Sequence, residues 1–195
     1  MDELVRNIIG LLGADARMSV ATLARRLKGR RPAVGEGQRI TLVRARHPVL
    51  VLRGVDDAQP APGVLEALQW ADIVLLPPSN PVVSIGITLL VPGVREALRA
   101  ATAPVVGVSP IIGGKPVRGH ADTCLTVVGA DASAKGVAGL YADFLDGWLV
   151  DPDDGAFALG STRVVPYDAP LLMSDRPAAA RLARAALDLG LDLRE

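Results

Sequence analysis

The sequence has 195 residues, of which half are hydrophobic and 3% aromatic, and its 21 basic and 21 acidic side chains give a net charge of zero. This length and hydrophobic content suit a single globular domain with an ordinary core and exclude a disordered chain. The charge is uneven, because residues 1–52 carry 10 Lys and Arg against 4 Asp and Glu, which leaves 11 against 17 in residues 53–195. We therefore divide the chain into a basic N-terminal segment of uncertain origin, residues 1–52, and a second part, residues 53–195.

Cysteine use and hydropathy bear on where the protein works. The only cysteine, Cys124, cannot form an internal disulfide, and no zinc-ligand spacing is present. No apolar run reaches the roughly 18 residues of a membrane span, and the N-terminus lacks the pattern of a signal peptide. These features predict a soluble protein of the reducing cytoplasm.

The first third of the chain is predicted to contain helices and one strand. Residues 1–31 place apolar side chains at helical spacing with arginines between them, which predicts one or two amphipathic helices. Residues 39–54 read as a strand that Pro48 restricts to an edge or breaks. A short helix over residues 63–71 then leads into a buried strand over residues 72–77.

From residue 72 onward, strands alternate with helices. Strands are predicted at residues 72–77, 103–110, 146–151 and 162–167, and helices at residues 91–101, 120–129, 133–142 and 175–189. Asp175 is placed to cap the last helix, with Pro177 in its first turn. This alternation predicts an α/β fold with a mostly parallel sheet and helices on both faces.

Two loops are candidates for ligand binding, because ligands of open α/β sheets lie outside the carboxyl ends of the strands. The first holds Ser79 and Asn80, whose side chains, together with the backbone N–H groups of the following helix, suit phosphate oxygens. The second, residues 109–119, combines two glycines with Lys115 and Arg118. Both loops point to an anionic, phosphorylated ligand.

Each loop also has a purely structural interpretation. Ser-Asn-Pro is common turn chemistry, and any strand-to-helix connection needs a cap. A solvated loop could equally carry two glycines and two cations. The acidic turn at residues 151–154 could hold a cation, but Asp-Pro-Asp-Asp-Gly is first of all a turn sequence, and we assign it no metal.

Several distinctive motifs follow one another along the chain. In order, they are "ADIVLLPPSNPVVSIG", "LLVPGVREALR", "APVVGVSPIIGGKPVRGHADTCL", "LDGWLVD" and "PLLMSD". With these motifs the chain resembles the 2-phospho-L-lactate transferase family, and more narrowly its actinobacterial branch of phosphoenolpyruvate transferases, over residues 54–190. This resemblance implies a Rossmann-like fold, of which this chain would hold the C-terminal half as a partial domain.

The resemblance also implies a reaction. In the biosynthesis of the deazaflavin coenzyme F-420, phospholactate or phosphoenolpyruvate moves from a guanosine diphosphate-activated donor to the hydroxyl of the precursor Fo, and GMP is released. Magnesium is required, and such transfer depends on positioning and charge neutralisation. No catalytic base stands out. The matching positions imply a substrate- and nucleotide-binding role for Ser79, Asn80, Pro81, Ser84, Ser109, Pro110, Lys115 and Arg118.

The N-terminal segment departs from the family pattern. Family members begin with a strand and a "GGxGG" phosphate loop, and acidic residues of that half bind the magnesium; residues 1–52 show neither feature. We therefore expect a fragment or a fusion that could need complementation by another chain, or a homo-oligomer such as a homodimer. Two alternatives stay open. The chain could be a non-catalytic nucleotide- or deazaflavin-binding module, or a nucleic-acid-associated protein that uses its basic N-terminus.

Overall fold

A computed structural model of the chain describes the backbone of residues 39–43 and 49–53 and all of residues 57–194. The helices predicted for residues 1–31 lie outside these ranges. Strands β1 (Arg39–Val43) and β2 (Val49–Arg53) pair antiparallel, with Arg39 opposite Arg53, as a separate two-stranded sheet. The interruption that Pro48 predicts within residues 39–54 is present, since β1 ends at Val43 and β2 begins at Val49, but the antiparallel pairing of these two runs was not predicted.

The remaining elements alternate as predicted. The strands are β3 (Val74–Leu76), β4 (Val105–Val108), β5 (Ile111–Ile112), β6 (Lys115–Pro116), β7 (Gly147–Val150) and β8 (Arg163–Pro166). The helices are α1 (Val64–Gln69), α2 (π-helical Pro81–Gly86 continued by α-helical Ile87–Leu89), α3 (Val94–Ala100), α4 (Ala121–Val127), α5 (Ala134–Gly139) and α6 (Arg176–Asp192). The α/β alternation read from the sequence is thereby confirmed.

The main sheet has four strands in the order β3-β4-β7-β8, and all neighbouring pairs are parallel. Strands β4 and β7 lie in its middle, and every one of their residues is buried. Continuous apolar runs of this kind are typical of parallel strands covered on both faces. All four strands end at the same edge of the sheet, so the loops that follow them meet there.

Helices cover both faces of this sheet. On one face, Leu76, Val105 and Trp148 pack with residues of α2, α3 and α5 in the larger core cluster. On the other face, Val106 and Leu149 pack against α6. Helix α6 begins as the sequence predicts, because Asp175 caps it by accepting a hydrogen bond from Ala178 N at 2.7 Å. The predicted fold class, a mostly parallel sheet with helices on both faces, is confirmed.

Helix length and hydropathy bear on membrane insertion in the part of the chain that the structure describes. No single helix there is both long and apolar enough to cross a bilayer. The segments Pro81–Leu89 and Val94–Ala100 meet the length and composition criteria only when taken together, across an 80° bend.

Candidate functional site

Three loops converge at the carboxyl edge of the main sheet. Residues 77–80 follow β3, residues 109–119 follow β4, and residues 151–154 follow β7. The first two also meet through α4, which contacts both the π-helical start of α2 and strand β6. The structure therefore brings both sequence-predicted loops to one edge, and it adds the acidic turn after β7 as a third neighbour.

Most of the polar groups in the loop after β3 form hydrogen bonds within the loop or with the start of α2. Asn80 Oδ1 accepts hydrogen bonds from Val82 N and Val83 N, each at 3.0 Å, so Asn80 caps α2. The next two backbone N–H groups, of Ser84 and Ile85, donate to the carbonyl oxygen of Asn80. The expectation that the first N–H groups of this helix hold phosphate oxygens is therefore corrected, because these donors already have acceptors in the protein.

What this loop still offers a ligand is a pair of hydroxyl groups. Ser79 Oγ donates to Ser84 Oγ at 2.9 Å, and both side chains are partly buried. A serine hydroxyl that accepts one hydrogen bond keeps its own proton as a donor. Ser84 can therefore donate to an oxygen atom that arrives with a ligand. Pro81 is buried and starts the helix, where its missing N–H is no loss.

The loop after β4 is a tight β-hairpin, where the sequence predicted a glycine-rich loop. Strands β5 and β6 pair antiparallel with Ile112 opposite Lys115. Gly113 (φ 56°) and Gly114 (φ 73°) make the two-residue turn between them, in the left-handed backbone conformation that such turns demand. Lys115 and Arg118 are exposed to solvent. The two cations are therefore accessible, and glycine keeps the turn free of side chains beside them.

Ser109 holds the base of this hairpin. Its side chain is 1% exposed, and its Oγ both accepts from Ile111 N and donates to the carbonyl oxygen of Ile111, each at 3.1 Å. Pro110, between them, is partly buried. Ser109 thus shapes the hairpin in this structure, whereas Lys115 and Arg118 carry its exposed charge.

The turn after β7 supplies contacts that sequence reasoning did not identify. Asp151 is 2% exposed and accepts from Asp153 N at 3.1 Å and from Leu171 N at 2.9 Å. Asp154 Oδ1 accepts from Gly114 N at 2.7 Å, which joins this turn to the hairpin after β4. The signal available in the sequence was a run of aspartates directly after a buried strand, but a run of this kind does not name its partner.

The same residues decide how a divalent cation would fit. Among the residues that the structure describes, no three His, Cys, Asp or Glu side chains are grouped to hold a metal ion. Both carboxylate oxygens of Asp151 already accept backbone hydrogen bonds. Asp151 therefore serves the fold, and no assembled set of magnesium ligands is present among the described residues.

A cleft at the opposite edge of the sheet is a weaker candidate. It is lined by Thr102, Asp146, Ser161 and Arg194, among other residues. Its charged groups take part in the fold, because Asp146 Oδ2 accepts from Val105 N at 2.8 Å and Arg194 pairs with Asp72 at 3.2 Å. The amino edge of a parallel sheet is also not where open α/β folds place their ligands.

Comparison with known proteins agrees with the motifs read from the sequence. A family model described as "2-phospho-L-lactate transferase CofD" matches residues 16–165. The match begins upstream of the motifs that we recognised, which lie within residues 54–190. It therefore takes in most of the basic segment, residues 1–52, so the expectation that this segment departs from the family is wrong for residues 16–52.

Curated relatives share a name as well as sequence. A phosphoenolpyruvate transferase of Kitasatospora aureofaciens is 56% identical over 144 residues, which cover 72% of this chain and 45% of the relative. A phosphoenolpyruvate transferase of Thermobifida fusca is 56% identical, and the match covers 73% of this chain and 43% of the relative. One of Streptomyces coelicolor is 48% identical, and the match covers 87% of this chain and 54% of the relative. The chain spans about half the length of the curated relatives it matches.

Proposed function

Because the chain belongs to the 2-phospho-L-lactate transferase CofD family, we propose that it serves the transferase step of coenzyme F-420 biosynthesis. In that step, phospholactate or phosphoenolpyruvate passes from a guanosine diphosphate-activated donor to the deazaflavin precursor Fo, and GMP leaves. The relatives named phosphoenolpyruvate transferase favour phosphoenolpyruvate as the transferred acid. We place this reaction in the cytoplasm.

One observation carries the proposal. The two loops that the family motifs mark, after β3 and after β4, lie at one edge of the sheet and present complementary groups. The first offers the hydroxyl pair of Ser79 and Ser84, and the second offers the exposed cations Lys115 and Arg118. Hydroxyl donors and cations at one edge of the sheet suit a diphosphate, because hydrogen bonds to charged oxygens are about twice as strong as neutral ones.

The proposed roles differ among the candidate residues. Lys115 and Arg118 neutralise phosphate charge, and Ser84 donates a hydrogen bond to a phosphate oxygen. Asn80 and Ser109 act indirectly on the ligand, because their side chains form hydrogen bonds with the loop backbones and fix the shapes of the two loops. Pro81 and Pro110 restrict the backbone beside them.

Catalysis needs more than these two loops. Transition-state charge in phosphoryl-type transfer is stabilised by metal ions as well as by cationic side chains. Because no group of three such side chains lies among the described residues, we propose that magnesium ligands come from outside them. Other residues of this chain, a second chain, or a second copy in a homo-oligomer such as a homodimer would supply them.

Two alternatives make different predictions. A non-catalytic module would bind the nucleotide or Fo without turning it over, so an assay for GMP release separates it from an enzyme. A nucleic-acid-associated protein would bind DNA with steep salt dependence through residues 1–52. The family match from residue 16 onward favours the transferase, because most of that basic segment lies within the matched span.

The proposal is tested by calorimetric titration of the chain with GDP, and separately with Fo, in the presence of Mg²⁺. We expect GDP to bind and Arg118→Ala to weaken binding about tenfold, because a hydrogen bond to a charged group contributes roughly 1.5–3 kcal/mol. Arg184→Ala is the matched control, since Arg184 pairs with Asp188 on α6. No GDP binding by the chain, or equal loss in both variants, would contradict the proposed site.

A further inference from the structure

Asp154 links two loops of the carboxyl edge that are far apart in sequence. Its Oδ1 accepts a hydrogen bond from the backbone N–H of Gly114 at 2.7 Å, across 40 residues of chain. Gly114 belongs to the hairpin that carries the proposed anion-binding cations. Its neighbour Gly113 lies against the same turn, since a Cβ built there would be 4.0 Å from the Asp153 side chain.

The hairpin needs support from outside itself. Its strands β5 and β6 have two residues each, and an isolated two-stranded hairpin is marginally stable at best. Its turn consists of two glycines, which lose more conformational freedom on ordering than any other residue. A hydrogen bond to the turn from a fixed neighbour therefore restricts the part of the hairpin that loses most conformational freedom on ordering.

The turn that carries Asp154 is such a fixed neighbour. Asp151 is buried at the end of β7, where its two carboxylate oxygens accept from Asp153 N and Leu171 N. The 3-10 turn Pro152–Asp154 follows directly. Asp154 thus extends from a turn that directly follows a central strand of the sheet and that the hydrogen bonds of the buried Asp151 fix in place.

We propose that Asp154 is a positioning residue, which holds the Gly113–Gly114 turn so that Lys115 and Arg118 are kept in place for the anionic ligand. This inference rests on the proposed function for its ligand, but the tether itself does not depend on one. Only Oδ1 of Asp154 makes the bond; Oδ2 is buried without a hydrogen-bond partner. The negative charge of Asp154 is therefore not what the tether requires.

Because only one carboxylate oxygen of Asp154 makes the hydrogen bond, two substitutions can separate the effect of the bond from that of the charge. Asp154→Asn keeps an oxygen that can accept from Gly114 N and removes a negative charge near the cations. Asp154→Ala removes both the charge and the bond. Asp153→Ala is the control, because it removes a neighbouring charge of the same turn and leaves the tether to Gly114 in place.

Two measurements are made on each variant of the full chain. Amide hydrogen exchange at Gly114 reports the tether without any ligand, and we expect Asp154→Ala to exchange about tenfold faster while Asp154→Asn and Asp153→Ala stay near wild type. Calorimetric titration with GDP reports the consequence. We expect Asp154→Ala to bind several-fold more weakly, and Asp154→Asn to bind as tightly as wild type or more tightly, since repulsion of the phosphates is removed.

The outcomes separate the possible roles of Asp154. Unchanged exchange at Gly114 in Asp154→Ala would refute the tether. Faster exchange at Gly114 in Asp154→Ala with unchanged GDP affinity would show that the hydrogen bond does not contribute to GDP binding. Tighter GDP binding by both Asp154 variants would show that Asp154 affects binding through its charge alone. If the wild-type chain binds no GDP, the proposed function fails, whereas the exchange measurement still decides whether Asp154 holds the hairpin.

Discussion

Side-chain packing determines the structure of the sheet interior, whereas hydrogen bonds determine the shape of its carboxyl edge. In the interior, β4 and β7 are buried throughout, and their fit is steric: Gly107 faces the ring of Trp148 so closely that a Cβ would overlap it. At the edge, hydrogen bonds set the shape, as Asn80 caps α2 and Asp154 tethers Gly114. The positively charged side chains of Lys115 and Arg118 remain exposed to solvent at this edge.

This difference implies that stability and ligand binding respond to different substitutions. A change in the interior alters packing, so it should lower the free energy of unfolding without a selective effect on binding. A change in an exposed cation should weaken binding and leave the fold nearly as stable. Residues such as Asn80, which shape the edge by hydrogen bonds, should affect both.

Gly107→Ala should have the largest effect on stability. The new methyl group would overlap the rigid, fully buried Trp148 ring, and overpacking of this kind typically costs about 1–3 kcal/mol. Urea denaturation measures the loss. Gly139→Ala at the end of α5 is the control, because nothing lies within 4 Å of its Cβ position, and it should be neutral or slightly stabilising. Equal stabilities of the two variants would show that the interior is not sterically specified.

Substitutions of Asn80, which lies between the sheet interior and the exposed edge, should change both stability and ligand binding. Asn80→Ala removes the cap from Val82 N and Val83 N, which should cost about 1 kcal/mol of stability and also weaken GDP binding. Asn80→Asp keeps the acceptor and favours the helix N-terminus, so its stability should match wild type, but its negative charge should repel phosphate. Thermal unfolding and GDP titration measure the two effects. An Asn80→Asp variant that binds GDP like wild type would argue against an anion at this loop.

The sequence was sufficient to predict the interior, because buried parallel strands leave a plain pattern. The runs that became β4 and β7 are apolar at every position or glycine, and the amphipathic run before residue 190 became α6 with its predicted cap at Asp175. Hydrophobic periodicity is a local signal, and it needs no knowledge of partners. The antiparallel pairing of β1 with β2 was missed, because Pro48 indicated an interruption without showing that the chain reverses there.

The edge was harder to predict, because polar side chains can serve either the protein or a ligand. Asn80 and Ser109 were predicted as ligand contacts, and in the structure both are bonded to nearby backbone. The chemistry is the same in either role, so residue type alone cannot decide between them. Asp154 was missed as a contact of the hairpin, since a bond across 40 residues depends on strand order, which sequence spacing does not contain.

The smallest predicted effect concerns the interior again, at Tyr141. Its hydroxyl is buried without a hydrogen-bond partner, and its ring meets that of Trp148 edge-on at 6.2 Å. Tyr141→Phe removes the unsatisfied group and keeps the ring, so it should stabilise the chain at neutral pH by up to about 1 kcal/mol. Tyr167→Phe is the control, because Tyr167 is only partly buried and its hydroxyl is not among the buried groups without a partner, so its removal should not stabilise the chain.

The pH dependence of Tyr141 gives the same test an independent readout. Burial raises the pKa of the Tyr141 hydroxyl above its ordinary value of 10.0, and the nearby Arg95 charge opposes this only in part. Above pH 10 the hydroxyl ionises in the unfolded chain while it stays neutral in the folded one, so ionisation favours the unfolded chain and the free energy of unfolding falls as the pH rises. Urea denaturation at pH 8 and above pH 10 should therefore show a steeper decline in wild type than in Tyr141→Phe. Parallel declines would mean that this hydroxyl reaches solvent, and the interior would then be less closely packed than its contacts with Trp148 imply.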